Sequence, residues 1–150
     1  MSDLHEMLAE HSFARTLFDR DVALLSELAR VERYPADGVI FREDGPARDL
    51  LLLRRGRVAI EMHAPPRVVL LESLDAGATL GWSTFFAPYT WGSDIRAMEA
   101  VEALVVDGAE LRPRLEKEPE FGLRFMRALL ATVHQRLERS RLHRMDLYQP

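Results

Sequence analysis

The sequence predicts a mainly β protein: a small antiparallel jelly roll, or double-stranded β-helix, flanked by helices and followed by one long C-terminal helix. Three observations carry this expectation. Across residues 31–106, short apolar runs alternate with turn residues. On either side of that stretch, apolar residues recur at helical spacing. The gaps between the runs are too short for the crossover helices that a parallel sheet requires.

Residues 1–30 read as helix, because Phe13, Leu17, Phe18, Val22, Leu24, Leu25 and Leu28 keep helical spacing, with an interruption near Asp19 and Asp21. Residues 31–106 form the β-roll. Its apolar runs are 39–41, 50–53, 58–60, 68–71 and 101–106, and its turn signals fall at 35–38, 43–46, 55–56, 65–66 and 75–77. Residues 107–150 return to helix. Asp107 suits an N-cap before a short helix over 109–117, which tolerates Pro113. Pro119 suits the first turn of a longer helix reaching about Asp146. Its apolar stripe holds Phe125, Met126, Leu129, Leu130, Val133 and Leu137. There is no repeat, low-complexity stretch or linker, so residues 1–150 read as one domain.

Composition removes several function classes. Hydrophobic residues make up 47% and charged residues 29%, as in an ordinary globular chain. No apolar run approaches the roughly 18 residues of a membrane helix. The start, MSDLHEMLAEHSFAR, lacks the basic and apolar regions of a signal peptide, so a cytoplasmic location is expected. Without cysteine there are no disulfides, thiolate metal sites, iron–sulfur clusters or cysteine nucleophiles. The net charge of −4 argues against a general nucleic-acid binder. That charge is uneven: six arginines against three acids from Pro119 onward leave +3 there. A cupin-like metal site would need clustered histidines, but of His5, His11, His63, His134 and His143 only His63 falls in the strand region. No nucleophile elbow, P-loop or dinucleotide fingerprint occurs. Glu43 and Asp44 fall at a turn, as solvated acids do. Neither an enzyme nor a bound cofactor is expected.

The order of elements and glycines resembles a known family. Gly38-Val39-Ile40-Phe41-Arg42-Glu43-Asp44-Gly45 is similar to the opening of cyclic-nucleotide-binding domains. So is Leu50-Leu51-Leu52-Leu53-Arg54-Arg55-Gly56-Arg57-Val58, where one strand ends at a glycine turn and the next begins. Leu74-Asp75-Ala76-Gly77, then Leu80-Gly81, and the long helix with Gln135-Arg136-Leu137 continue the likeness, which runs from Phe13 to Met145. It implies an eight-stranded β-roll with helices before it and a pair after it. In the catabolite-activator branch, a helix-turn-helix domain follows the long helix. Here the chain ends at Pro150, so the resemblance implies the sensor half alone, without a DNA-binding domain.

The family's ligand site is a phosphate-binding cassette. A Gly-Glu-Leu segment opens a short helix whose N–H groups meet the cyclic phosphate, an Arg then bonds the phosphate, and the Glu accepts from the ribose. The matching segment here runs from Gly81 to Ala97. Gly81 fits, Trp82 stands at the Glu position, Trp91 at the Arg position and Gly92 at the small residue after it. Losing two charge-assisted bonds removes roughly 3–6 kcal/mol, or on the order of 10²–10⁴ in affinity, so tight cyclic AMP binding is not expected. Trp82, Phe85, Phe86, Tyr89 and Trp91 are five of the 12 aromatics. They form either a remodelled stacking pocket or a filled core. The backbone near Ser83 and Thr84 keeps the option of meeting an anion. Arg96 is either a displaced phosphate contact, or is paired with Asp94 or exposed on the roll surface. Ser140 lies where the family's helix reaches toward a base, or is simply solvated. Gly81, Trp82, Ser83, Thr84, Trp91, Gly92, Ser93, Arg96 and Ser140 are thus the candidate ligand residues.

The resulting expectation is a stand-alone regulatory or sensor module with an altered cassette, acting on a protein partner or through a small molecule. The alternative is a transcription regulator of the catabolite-activator type, acting as a fragment or through a partner. In the family the long helix pairs with its copy, so a homodimer is expected, centred between Met126 and Leu137. Arg136, Arg139, Arg141 and Arg144 would splay two parallel copies beyond Ser140.

Overall fold

Leu50, Leu51, Leu52 and Leu53 are all fully buried, and their alternation sets the layers of the molecule. Successive side chains on a strand point to opposite faces. Leu51 and Leu53 therefore enter the interior of a roll, while Leu50 and Leu52 face a layer of helices. A strand buried on both faces reads as a continuous apolar run, as this one does.

The computed structural model describes residues 3–147. Among them, α1 (Asp3–Glu10), a 3₁₀ turn (Ser12–Thr16) and α2 (Asp19–Glu27) precede the strands. The strands are β1 (Ala29–Tyr34), β2 (Val39–Phe41), β3 (Asp49–Arg55), β4 (Val58–Ala64), β5 (Arg67–Leu74), β6 (Thr79–Leu80), β7 (Asp94–Ala97) and β8 (Val101–Asp107). A second 3₁₀ turn (Trp82–Phe85) separates β6 from β7, and α3 (Gly108–Lys117) and α4 (Pro119–Leu147) follow. The strands form two antiparallel sheets, ordered β1-β8-β3-β6 and β2-β7-β4-β5. This is the jelly roll with a long terminal helix that the sequence predicts.

Local chemistry accounts for the boundaries. The Asp107 side chain accepts from the Glu110 N–H and caps α3. The N-terminal helical stretch is broken in two, because His11 and Leu17 are extended. The His11 ring accepts from the Phe13 N–H, and α2 restarts where the Asp21 carboxylate accepts from the Phe18 N–H. The strand β1 lies outside the apolar runs: Arg30, Glu32 and Arg33 interrupt its pattern, and it is held by pairing with β8 from Ala29–Val106 to Tyr34–Val101. The run 68–71 is a strand, but all four of its residues are exposed. It lies in β5, an edge strand paired only with β4, on a hairpin that extends past the core.

The helix α4 has two apolar faces. Phe121, Phe125, Ala128 and Leu129 are buried against β3, β8 and the N-terminal helices. Leu123, Met126, Leu130 and Leu137 are exposed, Leu130 by 67%, and Val133 is half-buried. The single stripe read from the sequence is therefore divided. The Arg144 side chain lies outside the described residues.

Candidate functional site

The segment that resembles the cassette begins at Gly81, where β6 turns away from β3. Its φ of 102° is left-handed, and a Cβ there would lie 2.4 Å from the Asp49 carbonyl oxygen, so only glycine fits. The 3₁₀ turn that follows is tied down from below. The Thr84 N–H donates to the Gly81 carbonyl at 3.1 Å, and the Thr84 hydroxyl, fully buried, donates to the Asp49 carbonyl at 2.9 Å. The Thr84 side chain thus holds the turn onto β3, and its N–H is already used within the turn.

The two tryptophans part company. Trp91 is 8% exposed and belongs to the roll interior, with Leu51, Leu80 and Ile95. Its ring stacks on Phe41 with centroids 3.8 Å apart and planes 14° from parallel. Its backbone pairs with Gly45 and Asp44, and the edge of the indole lies 3.3 Å from where a Cβ on Gly81 would be. The ring therefore covers the inner side of the glycine that opens the cassette. Trp82, half-buried, turns the other way and packs with the helical cluster. The Arg136 guanidinium of α4 lies 4.4 Å above its ring and donates to Glu72 of β5 at 3.0 Å. Phe85 meets Phe125 edge-on at 5.1 Å, while Tyr89 lies under Arg112 and Phe86 is exposed. The aromatic segment is distributed over three environments rather than lining one pocket.

The remaining candidates separate as well. Arg96 is not paired with Asp94: it makes a two-pronged bond to Glu61 at 3.0 and 3.1 Å and a third to Asp37. Gly92 is exposed, Ser93 and Ser83 are half-buried, and Ser140 is exposed on α4, one turn beyond Arg136. Asp94 instead accepts from the Glu43 N–H at 2.7 Å and contacts His63 Nε2 at 2.5 Å. These bonds, the Glu43 N–H foremost, hold its carboxyl below the usual carboxylate range. The Asp94–His63 contact clasps β7 to the β4–β5 hairpin. Sequence reasoning missed it, and its one signal was the single histidine in the strand region. Among the described residues, no three His, Asp or Glu side chains gather closely enough to hold a metal ion. No helix among them is long and apolar enough to cross a membrane.

Among the described residues, an eight-stranded roll with a glycine-opened turn between β6 and β7 and a long helix packed behind defines a small β-roll domain. Residues 31–118 match the family described as the cyclic nucleotide-binding domain, and the chain belongs to that family. Among solved structures, it is similar to a protein of Geobacter metallireducens described as cyclic nucleotide-binding, at 29% identity and a TM-score of 0.80, over 88% of this chain and 96% of that one. A cyclic nucleotide-binding domain from Methylobacillus flagellatus shares 18% identity at a TM-score of 0.80, over 99% and 84%. The sensor domain of the transcriptional regulator DNR from Pseudomonas aeruginosa shares 18% at 0.70, over 89% and 91%. These last two speak for the fold alone. No curated protein matches the chain significantly.

Proposed function

We propose that this chain is a non-enzymatic regulatory module whose cassette has lost tight cyclic nucleotide binding and whose α4 pairs with a second copy. The observation that carries the first part is Trp91. The position that offers an arginine to the phosphate in the family holds an indole here, and that indole is stacked inside the roll against Phe41 and Gly81. Trp82, at the position of the ribose-binding Glu, is held by Arg136 beneath α4. The residues present do not fit a cyclic nucleotide, because both charged contacts are missing and a ring stands over the glycine. Calorimetry with cyclic AMP and cyclic GMP tests this. We expect no binding tighter than about 10 μM, and a tighter constant for either nucleotide overturns the reading.

The dimer rests on the outer face of α4. Leu123, Met126, Leu130, Val133 and Leu137 follow one another at intervals of three and four residues, the spacing of a coiled-coil seam. A second helix of the same kind matches that seam by symmetry. The signal output is then a change in how two copies present their surfaces to a partner.

A further inference from the structure

A second cleft, bounded by the first 3₁₀ turn, the β5–β6 turn and α4, has a chemistry unlike that of the cassette. Its volume is about 320 Å³, and Arg15, Thr16, Gln135, Arg136 and Arg139 all line it. Arg15 and Arg139 are exposed, and neither has an ion-pair partner among the described residues. The acid that reaches this group is Glu72, which accepts from Arg136. Three guanidinium groups against one carboxylate leave two positive charges uncompensated within one concave surface.

Arg136 is itself incompletely satisfied. One NH2 group is bonded to Glu72, but its Nε is buried with no hydrogen-bond partner. That nitrogen is sealed from solvent, so an oxyanion in the cleft would act on the guanidinium through its charge. A phosphate monoester carries about −1.5 to −2 charges at neutral pH, close to the excess in the cleft, and its oxygens match the guanidinium fork. Thr16 of the 3₁₀ turn and Gln135 of α4 add neutral hydrogen-bonding groups to the lining of the cleft.

We propose that this cleft binds a small phosphomonoester, with Arg15, Arg136 and Arg139 converging on the phosphate and Thr16 and Gln135 meeting the body that carries it. The site goes beyond the cassette reading and does not depend on it. It also has a built-in reporter. Because Arg136 both lines the cleft and covers Trp82, a ligand that draws on Arg136 changes the surroundings of that indole. The same arginine links α4 to β5, so occupancy would bear on the helix that carries the proposed dimer seam.

The experiment titrates the full chain at low salt with ribose 5-phosphate and glycerol 3-phosphate, with ribose as the uncharged control, and reads calorimetry and tryptophan emission. We expect both phosphates to bind more tightly than about 1 mM with a change in emission, and ribose to do neither. Arg15→Glu with Arg139→Glu, two exposed positions, should weaken both phosphates at least about tenfold while leaving the circular dichroism unchanged. Glu72→Gln, which removes the competing carboxylate, should tighten them. Binding weaker than about 1 mM by the unmodified chain, or equal binding by the double arginine variant, overturns the proposal.

Discussion

Asp21 and Arg124 lie 103 residues apart and form a two-pronged ion pair, with Nε–Oδ2 at 2.6 Å and NH2–Oδ1 at 2.8 Å. Asp21 is 2% exposed, and the same Oδ2 accepts from the Phe18 N–H. One buried carboxylate therefore starts α2 and ties it to α4. Burial alone would raise its pKa, but the Arg124 bond and the Phe18 N–H outweigh that and hold it below the ordinary value. Removing Arg124 leaves the Asp21 carboxylate buried without its cation, so Arg124→Met should lower the midpoint of urea unfolding. Since the folded pKa is depressed, the contribution of Asp21 is fully present above the unfolded value near 3.9 and is lost as pH falls through the folded value.

Trp91 should behave as a core residue. Trp91→Ala should destabilise the chain by about 3–5 kcal/mol, and Trp82→Ala by clearly less, because Trp82 is half-buried. Denaturation of each single variant, followed by the emission of the remaining indole, measures both. Equal costs would place Trp91 outside the core.

His11 should make the protein acid-sensitive. The ring is buried, and its Nδ1 accepts from the Phe13 N–H, so Nε2 carries the proton donated to the Leu53 carbonyl at 3.1 Å. Burial pushes its pKa below the ordinary value of about 6.5. The folded state then binds fewer protons than the unfolded one between the two values, so stability falls as pH drops below about 6.5. The His11 contribution is at most about 1.4 kcal/mol per pH unit. In urea unfolding between pH 7 and 5, His11→Asn should start less stable and show a shallower slope.

Pairing through α4 should give a mass in light scattering of twice 17.2 kDa at micromolar concentration. Val133→Glu with Leu137→Glu should halve it while unfolding stays cooperative. Leu129→Glu, on the buried face, should instead abolish folding. A chain that is monomeric before any substitution refutes the seam.

Much of this molecule is legible one segment at a time. The run 50–53, the Asp107 cap and the Pro119 helix start are local features. Periodicity and residue chemistry suffice for them, because the forces involved act within a few residues. The sequence by itself thus determined the class of fold. Tertiary structure decided where the pieces face. Trp82 and Trp91 are nine positions apart and equally apolar, yet one packs beneath α4 and the other inside the roll, because the turn from Gly81 lies between two separate cores. The run 68–71 is as apolar as 50–53, but β5 is an edge strand on a projecting hairpin, so nothing among the described residues covers it. Asp21–Arg124, His63–Asp94 and the cleft that gathers Arg15 with Arg136 and Arg139 join residues far apart in sequence. A one-dimensional pattern says that a side chain needs a partner, and only the closure of the chain says which one it meets.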